Sequence, residues 1–208
     1  MLRLPPAVAA DALAANREVW DAPTLPTLDR FVGTLYDAFD VPTLTRAARA
    51  RAEESVLVFD GAFGVLTGGE PTPDHRVPAA AALPDLGTVA GLWRPVLDEV
   101  LPPLLDGHLV VDLRSTDYAA MWRARSASVV PVRILVEQGG RHTVLSVPSK
   151  VGKGLLARAL CTTRRRVRTR RDLLAVAASA GFEPLAPTSK GAGLDLAFDF
   201  VPKGASRL

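Results

Sequence analysis

Apolar residues recur along this chain at two spacings, and each spacing predicts one kind of element. A spacing of three to four residues, which puts apolar side chains on one helical face, predicts helices at 6–20, 28–39, 43–52, 89–105 and 170–180. Short apolar runs bounded by turn-forming or charged residues predict strands at 55–59, 109–113, 129–137, 142–147 and 194–201. Helices therefore fill the chain up to residue 54, and strands mixed with helices follow from residue 55.

The stretch 146–158 (SVPSKVGKGLLAR) combines an apparent strand end, two glycines and a helix start. The predicted strand breaks at Pro148, and a helical apolar pattern begins at Leu155. Glycine-rich backbone that leads into a helix leaves N–H groups free to attract anions. Three cations surround this break: Lys150, Lys153 and Arg158. We therefore predict an anion-binding turn here; an ordinary loop with solvated lysines is the alternative.

This stretch does not have the spacing of a nucleotide-binding P-loop. That motif requires a glycine five residues before the glycine of the Gly-Lys pair and a Ser or Thr after the lysine. Val147 and Gly154 occupy those two positions, so the sequence gives no ground for an ATPase or GTPase.

The net charge of +3 is unevenly distributed. Residues 141–208 contain 13 Lys and Arg against 4 Asp and Glu, whereas residues 1–140 contain 12 against 18. Six arginines fall in the eight residues from Arg164 to Arg171, where Thr169 and Asp172 form the capping-box pattern of a helix start. The basic end indicates an anionic partner: nucleic acid, nucleotide or acidic lipid.

The composition narrows the class of protein. Hydrophobic residues make up 48% of the chain, enough for a sizeable core, and no apolar run approaches the length of a membrane span. The N-terminus lacks a signal-peptide pattern, so we expect a cytoplasmic protein with no membrane partner. Cys161 is the only cysteine, and core packing is its expected role. The three histidines show no ligand spacing, so we predict no metal and no cofactor.

Acidic residues follow several predicted strands, where sites often lie in α/β folds. Asp60 ends the first strand and precedes Gly61, and Asp112 lies inside the second. The proline-rich segment 70–78, which we expect to be exposed, includes Asp74, His75 and Arg76. After the second strand come Arg114, Ser115 and Asp117, and Ser115 is the expected N-cap of a short helix. As alternatives, Asp60 caps a turn before its glycine, and Asp112 is a satisfied core carboxylate.

Several segments, in order, resemble one family. They are FVGTLYDAF (31–39), FDGAFGVL (59–66), PDHR (73–76), LWRP (92–95), VVDLRSTDY (110–118) and KVGKG (150–154) with Ala157-Arg158. The chain resembles the YaaA family of bacterial peroxide-stress proteins. The resemblance implies one mixed α/β domain over 1–208, with a central mixed sheet flanked by helices and a positively charged cleft. It also implies DNA binding and a role in limiting iron-driven damage under hydrogen peroxide.

The chain departs from the family pattern at several positions. Family members open with a strand and a lysine-containing loop that has no counterpart here, so we expect part of the usual cleft to be absent or supplied otherwise. The family's usual serine before Gly61 is Asp60, its usual tyrosine before Arg76 is His75, and its usual arginine before Gly154 is Lys153. A divergent member of the family is the inference.

Three hypotheses about the function remain open. The first is a binding protein whose basic cleft holds nucleic acid or a nucleotide, with these phosphate ligands: Arg76, Arg114, Ser115, Lys150, Lys153 and Arg158. The second is an enzyme that hydrolyses the N-glycosidic bond of a purine nucleotide, with Asp60, Asp74 and Asp117 as catalytic carboxylates. A stress protein without turnover is the third reading.

Overall fold

The computed structural model describes residues 6–124, 128–186 and 193–200. The helices are α1 (Pro6–Arg17), α2 (Thr27–Arg30), α3 (Thr34–Phe39), α4 (Arg46–Ser55), α5 (Val89–Leu104), α6 (Thr116–Ala119), α7 (Ser146–Thr162) and α8 (Arg170–Ser179), with a 3-10 turn at Val41–Thr43. The strands are β1 (Thr24–Pro26), β2 (Leu57–Asp60), β3 (Gly64–Thr67), β4 (Pro71–Pro73), β5 (Ala82–Leu83), β6 (Gly87–Thr88), β7 (Val110–Asp112), β8 (Val129–Gln138), β9 (Arg141–Thr143), β10 (Phe182–Leu185) and β11 (Leu194–Phe198).

The chain forms two compact units, each assembled from separate stretches of sequence. The first unit contains Met1–Phe31, Arg46–Gly107 and Arg114–Ser126, and the second contains Val32–Thr45, His108–Leu113 and Ala127–Leu208. The expected single domain over 1–208 stays a prediction, as does the basic cleft.

A five-stranded mixed sheet forms the centre of the second unit. Its order is β10-β11-β8-β7, with β10 antiparallel to β11, β8 parallel to both β11 and β7, and β9 antiparallel to the end of β8. The pairing of Gln138 with Arg141 confirms the predicted hairpin and its glycine turn. The mixed α/β fold is therefore confirmed.

The core of the second unit lies between this sheet and helices α7 and α8. Alternate residues of β8 point into it, because successive side chains of a strand face opposite sides of a sheet. Its buried residues are Val130, Val132, Ile134, Leu156, Leu173, Ala177, Phe182, Leu194 and Leu196. Cys161 is also buried, as its expected packing role requires.

Helix α7 corrects the prediction for residues 146–158. The helix begins at Ser146 and continues through both glycines, so the expected strand end, glycine loop and helix start at Leu155 are wrong. Pro148 is tolerated because it lies in the first turn, where its missing N–H has no intrahelical partner. A Cβ on Gly152 would lie 2.6 Å from Ile134 Cγ2, and one on Gly154 would collide with the Leu35 carbonyl oxygen. The glycines therefore permit close packing against β8 and α3.

The predicted helix 28–39 is also interrupted. Helix α2 ends at Arg30 and α3 begins at Thr34, and between them Gly33 has a φ of 112°, which a residue with a side chain rarely adopts. The apolar spacing continued across the break, so the pattern alone did not reveal it. The predicted helix at 6–20 ends earlier, at Arg17, and the one at 43–52 is shifted to α4.

The first unit combines helices with three two-stranded antiparallel sheets, β1–β4, β2–β3 and β5–β6. Helix α5 is capped by Thr88, whose hydroxyl oxygen accepts from Gly91 N at 3.1 Å. Buried side chains come from α2, α4, β2, β3 and α5 and from the residues after α6: Leu28, Ala48, Ala52, Val58, Leu66, Val89, Leu97, Leu101 and Met121. No helix in the described ranges is long and apolar enough to cross a membrane.

Candidate functional site

Asp60 ends β2 in the first unit, and its carboxylate organises the turn that follows. One oxygen, Oδ1, accepts from Ala62 N at 2.7 Å and from Phe63 N at 2.9 Å. The other, Oδ2, lies 2.9 Å from His75 Nε2. A Cβ on Gly61 would overlap the Val77 carbonyl oxygen, so the Asp-Gly pair needs both its acceptor and its bare backbone. The turn-capping alternative describes Asp60 well.

His75 is the partner of Asp60, and its side chain is only 3% exposed. Its Nδ1 lies 2.9 Å from the Pro73 carbonyl oxygen. Burial lowers the pKa of His75, but the hydrogen bond to Asp60 and the charge of that carboxylate outweigh burial and leave the pKa above its usual value. The expectation of an exposed segment 70–78 is therefore wrong at His75, although Glu70, Asp74 and Arg76 are exposed.

The segment that contains Asp74 and Arg76 is tied to α1 by one amide side chain. Asn16 Oδ1 accepts from Arg76 N at 2.8 Å, and Asn16 Nδ2 donates to the Arg76 carbonyl oxygen at 3.1 Å. The paired bonds resemble a short strand pairing and leave the guanidinium out of the contact. Sequence analysis missed Asn16, because a helical asparagine near a helix end carries no signal for a partner 60 residues away.

The predicted residues Arg114, Ser115 and Asp117 surround the short helix α6. The Arg114 guanidinium carbon lies 4.2 Å from the centre of the Phe59 ring and 5.4 Å from that of Trp122. Such stacking holds a cation by the negative face of the rings. Arg114 Nη1 also donates to the Tyr118 carbonyl oxygen at 3.4 Å.

Ser115 and Asp117 differ in what they do for helix α6. Ser115 occupies the expected N-cap position, yet its side chain makes no capping bond. Asp117 lies in the first turn and is exposed. Its negative charge suits the N-terminus of a helix.

Tyr118, which sequence analysis did not select, connects two of the predicted carboxylates. Burial raises the pKa of Tyr118, and the charges of Asp60 and Asp117 raise it further. Asp74 likewise acts by its charge on His75. Asp60 and Asp74 therefore act on His75, and Asp60 and Asp117 act on Tyr118, while the catalytic role of the three carboxylates stays a prediction.

The predicted cations of the second unit lie on α7 in different surroundings. Lys150 is exposed. Burial lowers the pKa of Lys153, an effect that the negative charge of Asp112 opposes. Arg158 Nη1 donates to the carbonyl oxygens of Phe39 at 2.9 Å and Asp40 at 2.6 Å, where α3 ends. Arg158 therefore caps a helix with donors that a phosphate would otherwise use.

The arginine-rich segment forms the connection between α7 and α8. Arg164, Arg165, Arg166, Arg168 and Arg171 are exposed, and Arg170 Nη2 donates to the Gly193 carbonyl oxygen at 2.6 Å. The predicted capping box is confirmed: Thr169 Oγ1 accepts from Asp172 N at 3.2 Å, and Asp172 Oδ2 accepts from Thr169 N at 3.0 Å. We call residues 163–171 the arginine loop.

Among the described residues, the candidate residues of the first unit and those of the second unit do not form a metal centre. Within residues 6–124, 128–186 and 193–200, no three His, Cys, Asp or Glu side chains cluster in a way that could hold a metal ion. The polar groups described above are a buried histidine–aspartate pair with a tyrosine in the first unit, and exposed guanidinium groups in the second.

These features define a mixed α/β protein with an exposed arginine loop and an ordered acidic turn. A sequence profile described as "Peroxide stress protein YaaA" matches residues 1–184. The chain belongs to this family, so the resemblance seen in the sequence is confirmed.

Individual relatives carry the name UPF0246 protein. One from Streptomyces coelicolor is 36% identical over 154 residues, which cover 73% of this chain and 58% of the relative. One from Corynebacterium glutamicum is 33% identical over 171 residues, covering 80% of this chain and 67% of the relative. The chain thus aligns with between about half and two thirds of each relative's length.

Proposed function

We propose that this chain binds a phosphate-bearing polyanion, nucleic acid before nucleotide, and through this binding serves the peroxide-stress protection for which its family is named. The observation that supports the proposal is the arginine loop, in which five of six arginines are exposed. No acidic residue interrupts residues 163–171. An extended row of guanidinium groups suits successive phosphates of a polymer better than a single nucleotide.

The nearest acid, Asp172, is directed back toward the backbone of the loop. Its Oδ2 accepts from Thr169 Oγ1 at 2.8 Å and from Arg168 N at 3.1 Å. The hydroxyl of Thr169 and the two backbone N–H groups of Arg168 and Thr169 lower the pKa of Asp172. Because these donors engage the carboxylate, it fixes the end of the loop; among the arginines, only Arg165 has a charge that contributes to the shift of the Asp172 pKa.

The other predicted phosphate ligands are proposed as secondary contacts. Arg76 and Lys150 are exposed, which supports a ligand role. Arg114 and Arg158 contact aromatic rings and backbone carbonyls, which supports an indirect role through the shape of the chain. Recognition by such cations is largely independent of base sequence, because phosphate contacts carry no sequence information.

A salt titration of duplex DNA binding tests the proposal. Fluorescence anisotropy with a short labelled duplex should give an affinity that falls steeply with salt, by about 0.9 logarithmic units per tenfold change in salt for each phosphate contacted. The triple variant Arg164→Gln, Arg165→Gln, Arg166→Gln should bind more weakly and with a shallower slope. The matched control, Arg17→Gln, Arg46→Gln, Arg123→Gln, removes the same charge from exposed positions of the first unit and should change binding far less. Equal loss in both variants, or an affinity that salt does not change, would contradict the proposal.

A nicking assay tests the link between binding and peroxide protection. Supercoiled plasmid exposed to iron(II) and hydrogen peroxide should be cut more slowly when the protein is present at saturating concentration. The arginine-loop variant should protect less at the same concentration, because it occupies less of the DNA. Undiminished protection by that variant would separate the protective role from the arginine loop.

The second candidate function is hydrolysis of a nucleotide N-glycosidic bond in the first unit. The observation that favours it is the position of Tyr118, a phenol that directly follows Asp117 and on which the charge of Asp60 also acts. A protonated phenol could assist the departing base while a carboxylate stabilises an oxocarbenium-like centre or orients water. Free base released from a purine nucleoside monophosphate, and lost in Asp117→Asn, is the expected result. Absence of base release from every nucleotide tried would eliminate this candidate.

A further inference from the structure

His75 makes polar contacts through both ring nitrogens, and both partners are oxygen atoms. Nδ1 lies 2.9 Å from the Pro73 carbonyl oxygen, and Nε2 lies 2.9 Å from Asp60 Oδ2. The two side chains are 3% and 5% exposed, so water contributes little to either contact. The pair was not expected from the sequence, where Asp60 and His75 belong to different predicted segments.

Counting protons across these contacts fixes the charge state of the pair. A carbonyl oxygen only accepts, so Nδ1 carries a proton. A neutral ring protonated there has a lone pair at Nε2, and the contact with Asp60 Oδ2 then requires one more proton between the two atoms. Asp60 Oδ1 accepts two backbone N–H groups, which favours the carboxylate and places that proton on Nε2. His75 is therefore an imidazolium beside a carboxylate.

Aromatic rings and titratable side chains of the described residues lie around the pair. The rings of Phe31 and Phe63 form T-shaped pairs with the imidazole at centroid distances of 6.2 and 4.9 Å, and neither ring carries a titratable group. The titratable groups around it are Asp60 itself, Asp74, whose charge acts on His75, and Tyr118 on α6, on which Asp60 acts. The shared proton thus depends chiefly on one carboxylate.

We propose that the Asp60–His75 pair is a proton-dependent latch that holds the turn after β2 against the segment after β4. With the shared proton present, the carboxylate fixes Ala62 and Phe63 on one side and His75 on the other. Without this proton, the lone pairs of His75 Nε2 and Asp60 Oδ2 would face each other at 2.9 Å away from water, which is strongly unfavourable. Loss of the proton therefore releases His75 from the turn after β2, while the bonds from Asn16 still hold the backbone of Arg76.

The latch closes at acidic and neutral pH and opens on the alkaline side. Burial lowers the pKa of His75, yet Asp60 outweighs burial and holds the pKa above the ordinary value of 6.5. A raised histidine pKa contributes stability that is complete below the ordinary value and is lost as pH rises through the raised one. The opening is therefore expected above pH 6.5, toward the alkaline range.

An NMR titration of the three imidazoles tests the latch in the intact protein. His108 and His142 are exposed and serve as internal references. His75 should be protonated on both nitrogens at neutral pH and should titrate at a higher pH than the two references. Hydrogen-exchange protection of the Ala62 and Phe63 amides, corrected for the intrinsic pH dependence, should fall over the same pH range. A His75 ring that is singly protonated at pH 6, or that titrates with the references, would overturn the proposal.

Two variants sharpen this test. In Asp60→Asn the carboxamide can donate to an unprotonated Nε2, so His75 should titrate at or below the two references. Asp74→Asn removes a neighbouring charge without touching the imidazole and should leave most of the elevation in place. If Asp74→Asn abolishes the elevation, the latch is not the Asp60–His75 pair. The wild-type titration decides the matter by itself if Asp60→Asn does not fold.

Discussion

The acidic turn after β2 and the arginine loop between α7 and α8 both carry charged side chains. In the turn these groups bind atoms of the protein itself, whereas in the loop most of them face solvent. Asp60 gives both of its oxygens to groups inside the first unit. The arginine loop has its one adjacent acid turned inward and exposes five arginines. Charge that is satisfied internally stabilises a local structure, whereas charge that stays exposed is available to a ligand.

This difference distinguishes two kinds of charged region. The sequence suggested ligand contacts for both regions: for Asp60 because it ends a strand, and for the arginines because they form a basic run. The hydrogen-bond partners distinguish a turn whose carboxylate is engaged by its own chain from a loop whose cations are open to solvent.

The largest effect is expected from Asp60→Ala. The change leaves a buried imidazolium without its counter-charge and removes the acceptor of two backbone N–H groups, so we expect a loss of about 3–5 kcal/mol of unfolding free energy. Chemical denaturation measured at pH 6 checks this. The control Asp74→Ala removes an exposed carboxylate from a nearby position and should stay within about 0.5 kcal/mol of wild type. Similar losses in both variants would show that Asp60 is not specially engaged.

Gly154→Ala should have the next largest effect. Its Cβ would collide with the Leu35 carbonyl oxygen and lie 2.8 Å from Ala38 Cβ, so α3 and α7 would have to separate. Overpacking of this kind costs about 1–3 kcal/mol, more than alanine gains in helix propensity. Denaturation of Gly154→Ala beside Lys150→Ala, an exposed site on the same helix, measures the difference. An equally stable Gly154→Ala protein would restore the idea that this glycine serves a ligand.

Thr169→Ala should cost about 1 kcal/mol, the usual value of a lost N-cap. The substitution removes the hydroxyl that accepts from Asp172 N and donates to its carboxylate. Thr169→Ser keeps the hydroxyl and is the matched control in thermal unfolding. If both variants match wild type, the arginine loop is not held by its cap.

The smallest effect on stability is expected from the triple arginine-loop variant with glutamine at positions 164, 165 and 166. Exposed side chains away from special features contribute within about 0.5 kcal/mol, so its unfolding free energy should equal that of wild type. Its DNA affinity should nevertheless fall. A marked loss of stability would mean that these arginines act within the fold, as Arg158 does.

The sequence predicted the type of most elements, because their apolar spacing and turn residues are consistent with the fold. The hairpin at β8 and β9 and the capping box of α8 came directly from glycine and Thr-Asp signals. The prediction was wrong at α7, where a glycine loop was expected. There Gly152 and Gly154 lie inside the helix and permit close packing against β8 and α3. Glycine has the same signature in a loop and at a tight contact, and only the packing partner distinguishes them.

The candidate site was predictable only in part. Asp60, Asp74 and Asp117 were selected because they follow strands, which is a local property. The pairing of Asp60 with His75 and the link from Asn16 to Arg76 are contacts between distant parts of the sequence. Periodicity says nothing about such contacts, because each depends on how loops pack after the strands form.

One measurement tests the contrast between the two regions most directly: amide chemical-shift mapping by NMR during titration with a short DNA duplex at low salt. We expect shifts concentrated in residues 163–172 and little change at residues 60–76. Shifts concentrated at residues 60–76, or none anywhere at saturating DNA, would contradict this expectation.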